Sequence, residues 1–107
     1  MISIYINIGK NPDLSFVAVC GSEIVGAVMC GHDGRRGYLN HLGVSSDYRR
    51  KRIAKQLLNR VEKELIKSGI KKEALFVLGE NASAQEFYEH ISWKEETIVK
   101  VYDKVIS

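Results

Sequence analysis

Over residues 51–68 the apolar side chains fall at Ile53, Leu57, Leu58, Val61, Leu65 and Ile66. That three-and-four spacing predicts a helix with one buried face, and Gly69 follows where a left-handed cap would stop it. Upstream the period drops to two. Ile2-Ser3-Ile4-Tyr5-Ile6 alternates and predicts a strand, and Asn11-Pro12-Asp13 predicts a turn. Phe16–Cys20 and Ile24–His32 read as an antiparallel pair closed at Gly21-Ser22. Asp33-Gly34-Arg35-Arg36-Gly37 is a second turn, and Tyr38–Val44 is the next strand. Beyond the helix, Ala74–Leu78 is an apolar run of strand length. Asn81 or Ser83 can cap a second helix that reaches about His90, and Ser83 with Glu86 has capping-box spacing. Thr97–Ile106 alternates again, as a terminal strand or hairpin would.

The order is antiparallel strands, then β–α–β–α, then strands. It predicts an α/β (α+β) fold on a mixed central sheet. A crossover from Tyr38–Val44 through the helix to Ala74–Leu78 makes those two strands parallel and right-handed.

At 107 residues the chain is expected to be a single domain, 1–107, and 45% hydrophobic residues suffice for a small core. No apolar run approaches the ~20 residues of a bilayer span, and no basic-then-apolar leader opens the sequence. A cytoplasmic protein without a membrane role is the expectation. Cys20 and Cys30 are too few for a disulfide scaffold and out of register across the hairpin, so both read as buried free thiols. No metal is expected. The net charge is +3, and much of the excess sits in four consecutive cations, Arg49, Arg50, Lys51 and Arg52.

Those cations lie where chemistry is easiest to place. A strand ends at Val44, the turn Ser45-Ser46-Asp47-Tyr48 follows, and after the basic run Ile53 and Ala54 open the helix. The first N–H groups of a helix have no intrahelical acceptor and carry the positive end of its dipole. Cations placed there oppose that dipole unless an anion joins them. A strand–basic loop–helix unit of this kind suits a pyrophosphate.

The stretch LGVSSDYRRKRIAKQLL, residues 42–58, resembles the acetyl-CoA loop of the GNAT N-acetyltransferase superfamily. That motif is Arg/Gln-x-x-Gly-x-Gly/Ala after a strand ending apolar-x-Val. Arg49 takes the first position and Ala54 the last small one; Arg52 stands where the middle Gly is usual, and Arg50 fills another position that is often Gly. Residues 79–89, GENASAQEFYE, are similar to the family's Asn-x-x-Ala-x-x-Phe-Tyr segment, and Phe16–Gly26 to its hairpin ahead of the cofactor strand. The resemblance implies a splayed parallel strand pair, two main helices, and N-terminal helices reduced or absent.

It also implies acetyl-CoA as cosubstrate and a set of site residues. Leu42, Gly43 and Val44 would pair main chain with the pantetheine, with Gly43 marking a bulge and the N–H of Leu42 or a neighbour as oxyanion donor. Arg49, Arg50, Lys51, Arg52, Ile53 and Ala54 would hold the pyrophosphate. Arg52 would keep that role if its backbone is already helical and its side chain turns outward. Asn81 would contact the cofactor's amide, and Tyr88, whose phenol titrates near pH ~10, would protonate the departing thiolate. The family's base position on the following strand aligns with Phe76, which takes no proton. The remaining base candidates are His41, beside Asn40 on the cofactor strand, and Glu80. A weak base favours an α-amine (pKa about 7.7–8.0) over a lysine ε-amine (about 10.4).

The reaction so implied is acetyl transfer to a primary amine, of a small molecule or a peptide N-terminus, by direct attack in a ternary complex. The alternative is a non-catalytic acyl-CoA-binding or regulatory module. A polynucleotide partner is not expected, because the cations are confined to one loop without a stacking series of aromatics. A homodimer is expected, with Ile2–Ile6 and Thr97–Ile106 as pairing edges.

Overall fold

The computed structural model describes residues 2–6, 14–49 and 52–107. The predicted Asn11-Pro12-Asp13 turn lies outside them. The chain divides into two compact units, Met1–Phe76 and Val77–Ser107.

The first unit is a five-stranded sheet with a long helix on one face. In chain order it runs β1 (Ile2–Ile6), β2 (Phe16–Cys20), β3 (Glu23–His32), β4 (Gly37–Val44), a single 3-10 turn (Ser46–Tyr48), α1 (Ile53–Lys67) and β5 (Glu73–Ala74). Sheet order equals chain order; β1 to β4 are antiparallel neighbours, and β5 joins β4 in parallel. The mixed sheet and parallel crossover predicted from the sequence are therefore present.

Alternation sets the inner face. Phe16, Ala18, Val28, Cys30 and Leu39 point to α1, and Ile53, Leu57, Leu58, Val61 and Leu65 point back. Each large side chain among them, Phe, Leu, Ile or Val, contributes roughly 1.5–3 kcal/mol on burial. Two glycines let the helix approach. A Cβ at Gly26 would lie 3.2 Å from Ile53 Cγ2 under the first turn of α1, and one at Gly37 would lie 2.7 Å from Leu65 Cδ1 under its last. The helix ends as predicted, with Ser68 as C-cap and Gly69 at φ +80. The Ile70 N–H then reaches back to the Leu65 carbonyl at 2.9 Å.

β4 carries one irregularity in its pairing with β3. Met29 pairs with His41 and Cys30 with Leu39, so Asn40 is an extra residue in β4. The bulge was expected at Gly43 and lies at Asn40 instead. The reason is the spacing of the apolar pair: Leu39 and Leu42 are three apart, and only an extra residue puts both on the α1 face.

β5 is shorter than the predicted Ala74–Leu78. It pairs with β4 at Gly37↔Glu73 and Tyr38↔Ala74, and residues 75–78 are outside any strand. Phe76 and Leu78 are mostly exposed there. An apolar run becomes a strand only where a neighbour accepts its hydrogen bonds, and β4 supplies none beyond Tyr38.

In the second unit α2 spans Ala82–His90. Its cap is Asn81, whose Oδ1 accepts the Ala84 N–H at 3.1 Å; the Ser83–Glu86 box does not form. Thr97–Ile106, predicted as a strand or hairpin, takes neither form. Its Ile98, Tyr102, Val105 and Ile106 are almost fully exposed. Alternation supplies a strand's two faces but not its neighbour.

Candidate active site

The parallel pairing of β4 and β5 stops at Tyr38↔Ala74. From Leu39 to Val44 the edge of β4 opposite β3 therefore has no strand partner among the described residues. A strand edge of this kind can take an extended ligand by main-chain pairing, as in strand addition. Leu42, Gly43 and Val44 lie on this open stretch. Leu42 pairs with Val28 and Val44 with Gly26 on the α1 side, while His41 and Gly43 lie on the other face. The His41 imidazole covers Gly43: a Cβ on that glycine would sit 3.3 Å from Nε2. His41 itself is exposed.

At the end of β4 the chain turns sharply. The Ser45 N–H donates to the Val25 carbonyl at 2.8 Å, and the Tyr48 N–H to the Ser45 carbonyl at 2.9 Å. The Tyr48 hydroxyl reaches Glu23 Oε1 at 3.4 Å, which ties the turn to the β2–β3 hairpin. Arg49 folds back so that its Nε lies 3.4 Å from the Val44 carbonyl. Arg50 and Lys51, both expected to hold phosphate, lie outside the described residues.

Arg52 is the N-cap of α1 and sits in the left-handed region, φ 61 and ψ 20. A backbone already helical was the condition under which Arg52 was expected to keep its role; the structure has it left-handed instead. The chain keeps the conformation that glycine adopts freely, and an L residue holds it at a cost of about 1–2 kcal/mol. Arg52 has no side-chain cap bond, the first turn of α1 has no acidic residue, and the first intrahelical bond runs from Gln56 N–H to the Arg52 carbonyl at 3.0 Å. Earlier N–H groups, including those of Ile53 and Ala54, have no acceptor within the helix. Ile53 is buried and Ala54 is small. Uncapped donors, a small side chain and flanking cations fit the pyrophosphate of a coenzyme A thioester.

The second unit, described by itself, carries Asn81 and Tyr88, which the resemblance singled out. The Asn81 Oδ1 is committed to the helix cap, which leaves its amide N–H groups for a ligand. Gln85 Nε2 donates to the Leu78 and Gly79 carbonyls at 3.2 and 3.0 Å and so shapes the entry to α2. Tyr88 lies two turns after Asn81 on the same helix side. Its ring makes edge contacts with Phe87 (5.1 Å between centroids) and Trp93 (5.6 Å). Burial holds its phenol above the usual tyrosine range, so it is protonated at neutral pH. A group so raised is a hydrogen-bond donor to a thiolate more readily than a full acid.

One carboxyl pair escaped the sequence reading. Glu73, beside Gly37 at the start of β5, is pushed up to about 8 by burial and by Glu62 of α1. Burial likewise pushes the Cys30 thiol up to about 11. The available signal was an acid set directly before the apolar run at Ala74. Both cysteines are free, Cys30 buried and Cys20 half-buried, so the expectation of two buried thiols holds for Cys30 alone. Among the described residues no cluster could hold a metal ion, and no helix is long and apolar enough to cross a membrane.

Residues 2–93 match the acetyltransferase (GNAT) family. A protein of Sodalis glossinidius (strain morsitans) named as an acetyltransferase is 39% identical over 97 residues, covering 91% of this chain and 68% of that protein. An acetyltransferase of Pectobacterium atrosepticum is 37% identical over 99 residues, 92% of this chain and 70% of its own length. Among solved structures, AAC(6')-Iy in complex with the bisubstrate analogue CoA-S-monomethyl-acetylneamine superposes with a TM-score of 0.75 at 21% identity, covering 86% of this chain and 69% of that one. The ribosomal-protein alanine N-acetyltransferase of Escherichia coli superposes with a TM-score of 0.70 at 26% identity, covering 78% and 54%.

Proposed function

This chain belongs to the acetyltransferase (GNAT) family, and from that premise we propose that it moves the acetyl group of acetyl-CoA onto a primary amine by direct attack in a ternary complex. The observation that carries the reading is the end of β4. There a strand edge without a partner among the described residues runs into a helix whose first N–H groups have no cap among them, and whose cap residue is a left-handed arginine. An extended thioester arm would use the edge, and its pyrophosphate would use the donors with Arg49, Arg50, Lys51 and Arg52. The bound CoA moiety of the structural neighbour AAC(6')-Iy supports this choice of cosubstrate.

In this reading the neutral amine forms a bond to the thioester carbonyl carbon, and the oxyanion accepts a hydrogen bond from a β4 N–H at or near Leu42. The carbon–sulfur bond then breaks, the thiolate takes a hydrogen bond from the Tyr88 hydroxyl, and the nitrogen loses a proton to water or His41. The products are an acetamide and free coenzyme A. Asn81 holds a cofactor amide through its N–H groups. Since His41 is exposed and Phe76 carries no base, an amine with an appreciable neutral fraction at pH 7, an α-amine of a peptide or a small molecule, is the favoured acceptor. The named acceptor of the Escherichia coli alanine N-acetyltransferase agrees with that choice.

The enzyme works as a cytoplasmic homodimer in this account. Support for self-association comes from the outer edge of β1 and, separately, from the exposed apolar side chains of residues 97–106. Thiol release from acetyl-CoA, followed with a panel of α-amines, ε-amines and aminosugars, tests the function. Release stimulated most by α-amines supports it. Acetyl-CoA binding without release for any amine would leave a non-catalytic binding module.

A further inference from the structure

The 3-10 turn at Ser46–Tyr48 carries the chain from the end of β4 to the basic run, and none of its side chains is buried. Core packing therefore does not fix the point from which the cations leave. Hydrogen bonds to β3 do. The Ser45 N–H donates to the Val25 carbonyl at 2.8 Å, and the Tyr48 hydroxyl reaches Glu23 Oε1 at 3.4 Å. Glu23 opens β3 and pairs with Cys20, the last residue of β2, so Tyr48 meets the pair that closes the hairpin. Cys20, by a hydrogen bond, and then the charge of Glu23 hold the phenol above the usual tyrosine range. The phenol keeps its proton at neutral pH and is the donor to the Glu23 carboxylate. After Tyr48 the backbone is extended at Arg49, whose Nε folds back to the Val44 carbonyl at 3.4 Å. A phenol tied down at residue 48 thus sets the place and direction from which the basic run departs.

We propose that Tyr48 is a positioning residue whose hydroxyl, clasped by Glu23, pins the turn that aims the Arg49–Arg52 cations at the pyrophosphate of acetyl-CoA. This deepens the acetyl-CoA reading above and rests on it. Tyr48 acts through the turn and not on the thioester, so its loss weakens cofactor binding more than it slows the chemistry at the carbonyl carbon. Tyr48→Phe keeps the half-buried ring and removes only the hydroxyl. Glu23→Ala removes the acceptor from the other end of the clasp. Glu23→Gln keeps a side-chain oxygen that accepts from the phenol.

The test measures acetyl-CoA affinity by calorimetry for wild type, Tyr48→Phe, Glu23→Ala, the double variant and Glu23→Gln. Turnover of each is read on the amine that wild type accepts best, and each is melted without ligand. The proposal expects the acetyl-CoA Kd to rise about threefold to fivefold in Tyr48→Phe and in Glu23→Ala, with a smaller change in kcat. The double variant should bind no worse than the weaker single variant, because both changes break the same bond. Glu23→Gln should stay near wild type, which a general loss of packing would not produce. The ligand-free melting losses should likewise fail to add. A wild-type Kd in Tyr48→Phe, losses that add in the double variant, or a fall in kcat at constant Kd would each overturn the proposal. Tyr48→Phe and Glu23→Ala read the clasp from its two ends, so either decides if the other does not fold. A wild type that binds no acetyl-CoA overturns the cofactor reading and the role of Tyr48 in it, while the ligand-free melting cycle still decides whether the clasp exists.

Discussion

Replacing Arg52 by Gly and, separately, by Ala isolates the strain at the cap of α1. Both variants lose the guanidinium, and with it the unfavourable cation at the positive end of the dipole, worth about 0.3–1 kcal/mol. Only Gly also relieves the left-handed backbone at φ 61. That relief is worth about 1–2 kcal/mol. Against it stands the freer unfolded chain of Gly, about 0.4–1 kcal/mol. At the middle of these ranges Arg52→Gly should exceed Arg52→Ala in stability by about 0.8 kcal/mol, or roughly 3–6 °C in melting temperature. Urea unfolding of the three proteins without ligand gives the comparison directly. Acetyl-CoA affinity, read in parallel, should fall in both variants because both lose one of the cations proposed to hold the pyrophosphate. If Ala matches or exceeds Gly in stability, the left-handed cap is not the folded conformation, and the argument for a preserved phosphate turn fails.

Tyr88→Phe should lower kcat by ~10²-fold with little change in the acetyl-CoA KM; an unchanged kcat removes the phenol from the chemistry. Leu57→Ala opens a cavity at a position with 0% exposure and should cost about 2–5 kcal/mol in denaturant unfolding. Gly37→Ala puts a methyl 2.7 Å from Leu65 Cδ1 and should cost about 1–3 kcal/mol, recovered in part by Leu65→Ala; the absence of that recovery would mean that the helix moves rather than the side chain. Asn81→Ala removes the α2 cap and should cost about 0.5–2 kcal/mol, read by chemical denaturation, alongside its effect on acetyl-CoA affinity.

Hydrophobic spacing carried most of the first unit. The apolar stripe from Ile53 to Leu65 and the alternation in β2 and β3 each have one geometric solution, so helix, hairpin and crossover were legible in the residues. Extent was less legible, because a strand's length belongs to the pair. Leu75–Leu78 and Thr97–Ile106 have the side chains of strands without the neighbours. Asn40-His41 is two polar residues between Leu39 and Leu42, and that pair marked the bulge more truly than Gly43 did. At Arg52 the motif called for Gly, and the backbone there takes the left-handed conformation that glycine adopts freely. The raised carboxyl of Glu73 was hidden because its causes, burial and the charge of Glu62 on α1, arise only once α1 and β5 are folded.

Calorimetric titration of acetyl-CoA into wild type and Arg52→Glu tests the central claim most directly. The account predicts saturable one-to-one binding that weakens with added salt and is largely lost in Arg52→Glu, where a carboxylate replaces a cation at the proposed phosphate turn. Absence of binding to wild type, or equal affinity in the two proteins, would contradict it.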